Sequence, residues 1–158
     1  MTKKKALYTY MIGSIIAVPL PDRRYAFAKV FKNMALGVYG FLSTKVEPVS
    51  EVTKHRIGFY QSATDAPIRS GEWPIIGEEP FADDESAWAP PRAVGPVPGL
   101  PVDPKVLRIE HRGESRKATV SEAAGLDISM LAHEPDLFID VLMDRLVRGE
   151  HDKYRVKR

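Results

Sequence analysis

Residues 11–18 (MIGSIIAV) are apolar at almost every position and show little alternation, which predicts a strand buried on both faces. The run breaks at 19–22, where Pro19, Pro21 and Asp22 supply turn chemistry. Apolar character returns over 25–31 with a period of two. Tyr25, Phe27, Lys29 and Phe31 fall on one side, and Ala26, Ala28 and Val30 on the other. The small alanines predict a second layer that comes close on their side. A third strand is expected over 36–42, with Gly37 and Gly40 permitting a bulge, a bend or close backbone contact. The connections are too short for parallel crossovers, so the pairing should be antiparallel. Residues 56–61 read as a fourth strand, 63–71 as a loop with one helical turn, and 73–76 as a short fifth strand closed by Gly77.

The pattern changes at residue 78. Residues 78–104 hold most of the prolines and much of the acid, and "APPRAVGPVPGLPVDP" excludes a helix or a central strand, because proline lacks the amide donor and fixes φ. An extended or polyproline-like strap is expected. Residues 106–110 and 116–120 then form a hairpin around Arg112-Gly113-Glu114. Ser121 and Asp127 are candidate helix caps. Pro135 suits a first helical turn, 137–147 is too apolar for a free tail, and Gly149 can end the helix. Asp136, Asp140 and Asp144 share one helical stripe, with Arg148 spaced to pair with Asp144. The expected fold is a single α+β domain over 1–158. It has a mostly antiparallel, twisted, barrel-like β core (11–77), a proline-rich strap (78–104), a hairpin (105–120) and a helical end (121–149).

Composition narrows the chemistry. A chain of 158 residues can bury a real core. It has no cysteine, which removes disulfides, thiol nucleophiles and cysteine-based metal sites and fits a reducing cytoplasm. The net charge of +2 is too small to argue for nucleic acid by itself. Lysines at positions 3–5 precede apolar residues that Gly13 and Pro19 interrupt, so no secretory signal is expected. No apolar stretch approaches the roughly 20 residues that span a bilayer. The expected location is cytoplasmic.

His55, His111, His133 and His151 show no metal-like short spacing. "HEPDL" at 133–137 lacks the second histidine of a zinc-protease helix, and Pro135 makes it a helix start. Glu110 and His111 are strand neighbours, so their side chains point to opposite faces. No nucleophile elbow, phosphate loop or dinucleotide fingerprint occurs. Glu78, Glu79, Asp83, Asp84 and Glu85 cluster without calcium-loop spacing. A non-enzymatic protein with no cofactor and no metal is expected.

Several side chains are candidates for a contact surface. Arg23, Arg24 and Tyr25 sit at the first hairpin, where they either keep the tip soluble, the favoured reading, or form a patch of hot-spot residue types. Trp73 reads as core. Trp88, between the acidic and proline-rich runs, either pins that segment or is exposed for a partner. The acids over 78–85 and the aspartate stripe read first as solvated faces. Their functional reading is an anionic surface that steers a basic partner.

The stretches "GSIIAVPLPDRRYAFAKV" (13–30), "LGVYGFL" (36–42) and "IGFYQSATDAPIRSGEWPIIGEEP" (57–80) resemble the immunity protein 26 family of bacterial polymorphic toxin systems. The I-R-S-G-x-W-x-x-I-G spacing from Ile68 to Gly77 is similar to that family's G-x-W region, and "ATVSEAAGL" (118–126) to its late A-T-x-x-E segment. The resemblance implies a mostly-β cytoplasmic protein that binds and neutralises a cognate toxin domain made by the same cell, without a cofactor or a reaction; the expected mode is steric, with a folded surface covering the toxin's active site. It carries over no contact residues. The small positive charge departs from the acidic character of many immunity proteins against nucleases. The expected partner-binding residues are therefore Trp88, Arg23 and Arg24, with Asp83, Asp84 and Glu85 steering. The competing reading is a small β-barrel that binds single-stranded nucleic acid through Tyr25, Phe27, Arg23, Arg24 and Lys29. A third is a small hydrolase built around His55 or His111.

Overall fold

The computed structural model describes residues 8–130 and 134–157. The lysines at 3–5 and His133 lie outside them. The protein is α+β, with two antiparallel sheets and a helical C-terminal part.

The first sheet has the order β4-β3-β2-β1-β5. Strands β1 (Ser14–Pro19) and β2 (Tyr25–Val30) form the hairpin expected from the proline turn, with Ala17 opposite Phe27. Strand β3 (Ala35–Tyr39) pairs with β2, and β4 (Ile57–Ser62) with β3, after the short helix α1 (Val49–Val52). A second helical turn, α2 (Ala66–Arg69), leads to β5 (Ile75–Glu78), which returns to the free side of β1. The sheet is open, with β4 and β5 at its edges, so it is twisted but not a closed barrel. The fifth strand begins beyond Trp73, which sits in the core rather than in the ladder.

The alternation along β2 sorts the layers as expected. Ala26, Ala28 and Val30 join Ile16, Val18, Leu36, Val38 and Phe59 in the main core. Helix α4 (Pro135–Leu142) covers that face with Phe138, Val141 and Leu142. On the other face, Ile15, Ala17, Phe27 and Tyr39 form a smaller cluster with Val52 of α1. Gly37 is needed for a close approach: a Cβ there would lie 2.7 Å from the Phe31 ring.

The proline-rich segment departs from expectation. Between Pro91 and Gly95, the residues Arg92–Val94 form strand β6 and are paired on both sides. Three consecutive residues with free amides suffice for this. The second sheet runs β6-β7-β8, where β7 (Arg108–His111) and β8 (Glu114–Lys117) are the predicted hairpin. Single bridges extend it: Ala93 pairs in parallel with Ile128, and Asp127 antiparallel with Arg155. Gly95, at φ +106°, lets the chain leave β6 against the Val106 backbone, where a side chain would clash.

The helical end differs in detail. Thr119, not Ser121, caps α3 (Val120–Ala123): its hydroxyl accepts from the Glu122 amide at 3.1 Å, and Glu122 accepts from the Thr119 amide at 3.0 Å. This is the physical content of the A-T-x-x-E spacing. Asp127 is not a cap; it lies in an extended bridge. Helix α4 ends at Leu142 and continues as a π-helical turn, Met143–Val147, which turns Arg145 into the interior.

The two sheets meet along β4. Arg92, 5% exposed, donates to the Ser62 hydroxyl at 2.8 Å and lies 3.9 Å from Glu110. Ser62 and Ser129 share a hydrogen bond of 3.1 Å, and Gln61 donates to the Met130 carbonyl at 3.0 Å. Asp127 accepts from Arg145 at 3.0 Å and from the Tyr60 amide at 3.4 Å.

Candidate partner-binding surface

Trp88 stands where the chain crosses from the first sheet to the second. It follows a 3-10 turn, Glu85–Ala87, as the extended residue that ends it. Ala87 and Ala89 on either side are buried, whereas Trp88 is half-buried. One flank is the turn after β2, where the Lys32 ammonium lies 5.1 Å from the indole centroid. The other flank is the β7–β8 turn, where Gly113 abuts the indole. Arg112 and Gly113 both have positive φ, as a two-residue hairpin turn requires. Trp88 therefore pins the strap and still presents part of its ring to solvent; both sequence readings describe part of it.

The acidic run is arranged around this indole. Asp84 pairs with Lys32 and Glu85 with Arg112, one ion pair on each side of Trp88. Asp83 forms no ion pair among the described residues. It accepts from the Ser86 amide at 2.8 Å, which holds its carboxyl below the usual range and fixes the turn. Further back, Glu79 meets Lys29 at 3.0 Å, and Lys29 lies 4.2 Å from the Phe81 centroid. The anionic field of the loop is thus largely balanced by the protein's own cations. Exposed pairs of this kind contribute at most about 1 kcal/mol each.

Arg23 and Arg24 lie elsewhere. They lie just before β2 and Lys32 follows its end, roughly 25 Å away at strand rise. Arg24 folds back on its own turn, donating from Nε and Nη2 to Asp22 at 2.9 and 2.6 Å. Arg23, at φ 67°, is exposed. The structure therefore joins Trp88, Asp83, Asp84 and Glu85 in one patch and leaves the arginine pair at the opposite end of the strand. Sequence reading missed Lys32 and Arg112, since nothing in the chain shows that those turns flank Trp88.

The remaining candidates occupy other environments. Phe27 is buried and stacks on Phe41 with centroids 5.1 Å apart, and Lys29 is 6% exposed. Two of the five side chains expected on a nucleic-acid face are therefore inside the protein, and Arg23, Arg24 and Tyr25 remain at its surface. His55 stacks on Phe41 at 3.6 Å. His111 borders a crevice of about 10 Å³ between Trp88 and Arg92, room for about one water, and also lines an open groove of about 280 Å³ with Arg112, Glu114, Ser115 and Arg116. No group of three or more metal-ligating side chains occurs among the described residues. No described helix is long and apolar enough to cross a membrane. Asp136 and Asp140 are exposed, but Asp144 is not a solvated stripe residue. Burial raises its pKa, yet hydrogen bonds from Tyr154, Lys153 and Arg148 outweigh that and hold it low.

A buried polar cluster also escaped the sequence reading. Arg145, 2% exposed, lies 4.1 Å from the Phe59 centroid, pairs with Asp127, and donates from Nε to His151 Nδ1 at 3.2 Å. Burial, then the Arg145 and Arg155 charges, push the His151 pKa below 6.5 despite Asp127 and Asp152. A folded-state pKa below the unfolded one means that the stabilisation is complete above the unfolded value. It is lost as pH falls through the folded value. Acid-induced loss of stability below about pH 6.5 is expected to lessen in His151→Asn, as measured by urea unfolding at a series of pH values. An unchanged pH profile would assign that loss to other groups.

The immunity protein 26 family profile matches residues 11–92, just over half the chain. No curated protein and no solved structure gives a significant match. The matched span takes in the whole first sheet, the acidic run, Trp88 and the start of β6, and on this match the chain belongs to the immunity protein 26 family.

Proposed function

We propose that the protein binds a cognate toxin domain made by the same cell, in the cytoplasm, and neutralises it by covering its active site without a reaction of its own. Family membership is the observation that carries this reading. An interface of ordinary size would bury about 800 Å² on this chain, dominated by a few anchors.

Trp88 is the proposed anchor. A half-exposed indole held on both flanks loses little conformational freedom on binding, which favours it as a hot spot. Asp83, with no ion pair among the described residues, steers most directly; Asp84 and Glu85 steer when a partner cation competes with Lys32 or Arg112. Arg23 and Arg24 contribute only if the toxin reaches the far end of β2.

Co-expression with the toxin encoded beside this gene should give a stable complex and restore growth. Trp88→Ala is expected to weaken the complex by about 2 kcal/mol or more, read by titration calorimetry. The variant carrying Trp88→Ala, Asp83→Ala, Asp84→Ala and Glu85→Ala should fail to restore growth. Full rescue by that variant would remove this patch from the interface and leave neutralisation itself standing.

A further inference from the structure

The second sheet ends in an unpaired edge beside a groove. The segment 154–156 bonds to 125–128 through the Tyr154 carbonyl and through the Val156 amide and carbonyl. The next groups along point the other way. Among the described residues, no backbone hydrogen bond reaches the Arg155 carbonyl or the Lys157 amide. One residue of an added strand engages such an i, i+2 pair. A groove of about 470 Å³ lies alongside, walled by Leu100, Pro101 and Val102 of the strap and floored by Val120 and Ile128. Leu100 is 62% exposed.

The charge at this groove is one-sided. Lys153, Arg155 and Lys157 line it with the single carboxylate of Asp152; Lys153 is already paired with Asp144 at 3.1 Å, so Arg155 and Lys157 supply the available charge. Lys157 is exposed and forms no ion pair among the described residues. Arg155 makes only long contacts, 3.8 Å to Asp127 and 3.9 Å to Asp152. The groove therefore combines an apolar slot, a cationic rim and an open strand edge, the three elements of strand-addition recognition.

The geometry points to this groove as the docking site for an extended segment of the toxin that alternates apolar and carboxylate side chains. The segment adds to the sheet at Arg155 and Lys157, seats an apolar side chain against Leu100 and Val102, and meets the basic rim with its carboxylates. Strand alternation places the two chemistries on opposite sides of one segment. The site rests on the toxin-binding reading but not on the Trp88 patch. It lies outside the family-matched span, toward the opposite edge of the second sheet from the β7–β8 turn that holds Trp88.

The test uses the full chain and the toxin domain encoded beside it. Amide hydrogen exchange read by NMR should show the Lys157 amide, which has no backbone acceptor among the described residues, protected in the complex. Lys157→Glu and Leu100→Asp, both at exposed positions, should each weaken binding about tenfold or more with unchanged urea midpoints. The affinity should also fall with added salt. A complex that forms without this protection, and that neither variant weakens, overturns the groove and leaves the toxin reading intact. No complex at all overturns both. Protection that grows with this protein's own concentration, in the absence of toxin, assigns the groove to a second copy and overturns the proposal.

Discussion

Replacing Asp127 with alanine is expected to lower stability by about 3–5 kcal/mol, the cost of breaking a buried ion pair from one side. Arg145 is the reason. Its side chain is 1% exposed, and its Nη1 lies 3.0 Å from the Asp127 carboxylate. Without that carboxylate the guanidinium keeps its contacts with Phe59 and a neutral His151, and neither cancels its charge. Escape to water is restricted because the π-helical turn directs Arg145 inward beneath Tyr154. The variant also takes an acceptor from the Tyr60 amide, loosening the seam between the sheets. Urea unfolding should show a lower midpoint with an unchanged slope. Adding Arg145→Met to Asp127→Ala should recover much of the loss, since the uncompensated charge then disappears. A loss below about 1 kcal/mol in Asp127→Ala would show that Arg145 reaches solvent.

This cluster marks the limit of what the pattern of residues reveals. The first sheet was legible because its core alternates. Ala26, Ala28 and Val30 predicted a second layer on their side, and residues of α4 share that core. The β7–β8 turn was legible because Arg112-Gly113 has hairpin chemistry. Strand β6 was hidden because proline content argues against a ladder, while Arg92, Ala93 and Val94 between the prolines keep their amides. The partners of the acidic loop were hidden for another reason. Lys32 and Arg112 lie 52 and 27 residues from the carboxylates they meet, and charge pattern along the chain carries no information at that range. Arg145 looks like an ordinary surface residue until the π-turn places it inside, against the half-buried Asp127 and His151. The opening hairpin shows the converse: Arg23 and Arg24 drew notice as neighbours, yet Asp22 holds Arg24 on its own turn.

The second large effect is expected at Trp73. Trp73→Ala should cost about 3–5 kcal/mol, the range for removing a buried large aromatic side chain. The indole is 2% exposed and packs against Phe138 with ring centroids 5.1 Å apart. It lies in the family-matched span, whereas Phe138, Val141, Leu142 and Tyr154, which complete the same core, lie outside it. The first sheet therefore depends on the C-terminal part for its cover, and we propose that the two unfold as one unit. Trp73→Ala supplies its own reporter for this. The chain has two tryptophans, so the fluorescence that remains comes from Trp88 at the junction with the second sheet. In a single cooperative unit, Trp88 fluorescence and far-ultraviolet circular dichroism shift to lower urea together and by the same amount. Separate midpoints, with Trp88 retaining the parent value, would divide the molecule into two units and confine the loss to the first sheet.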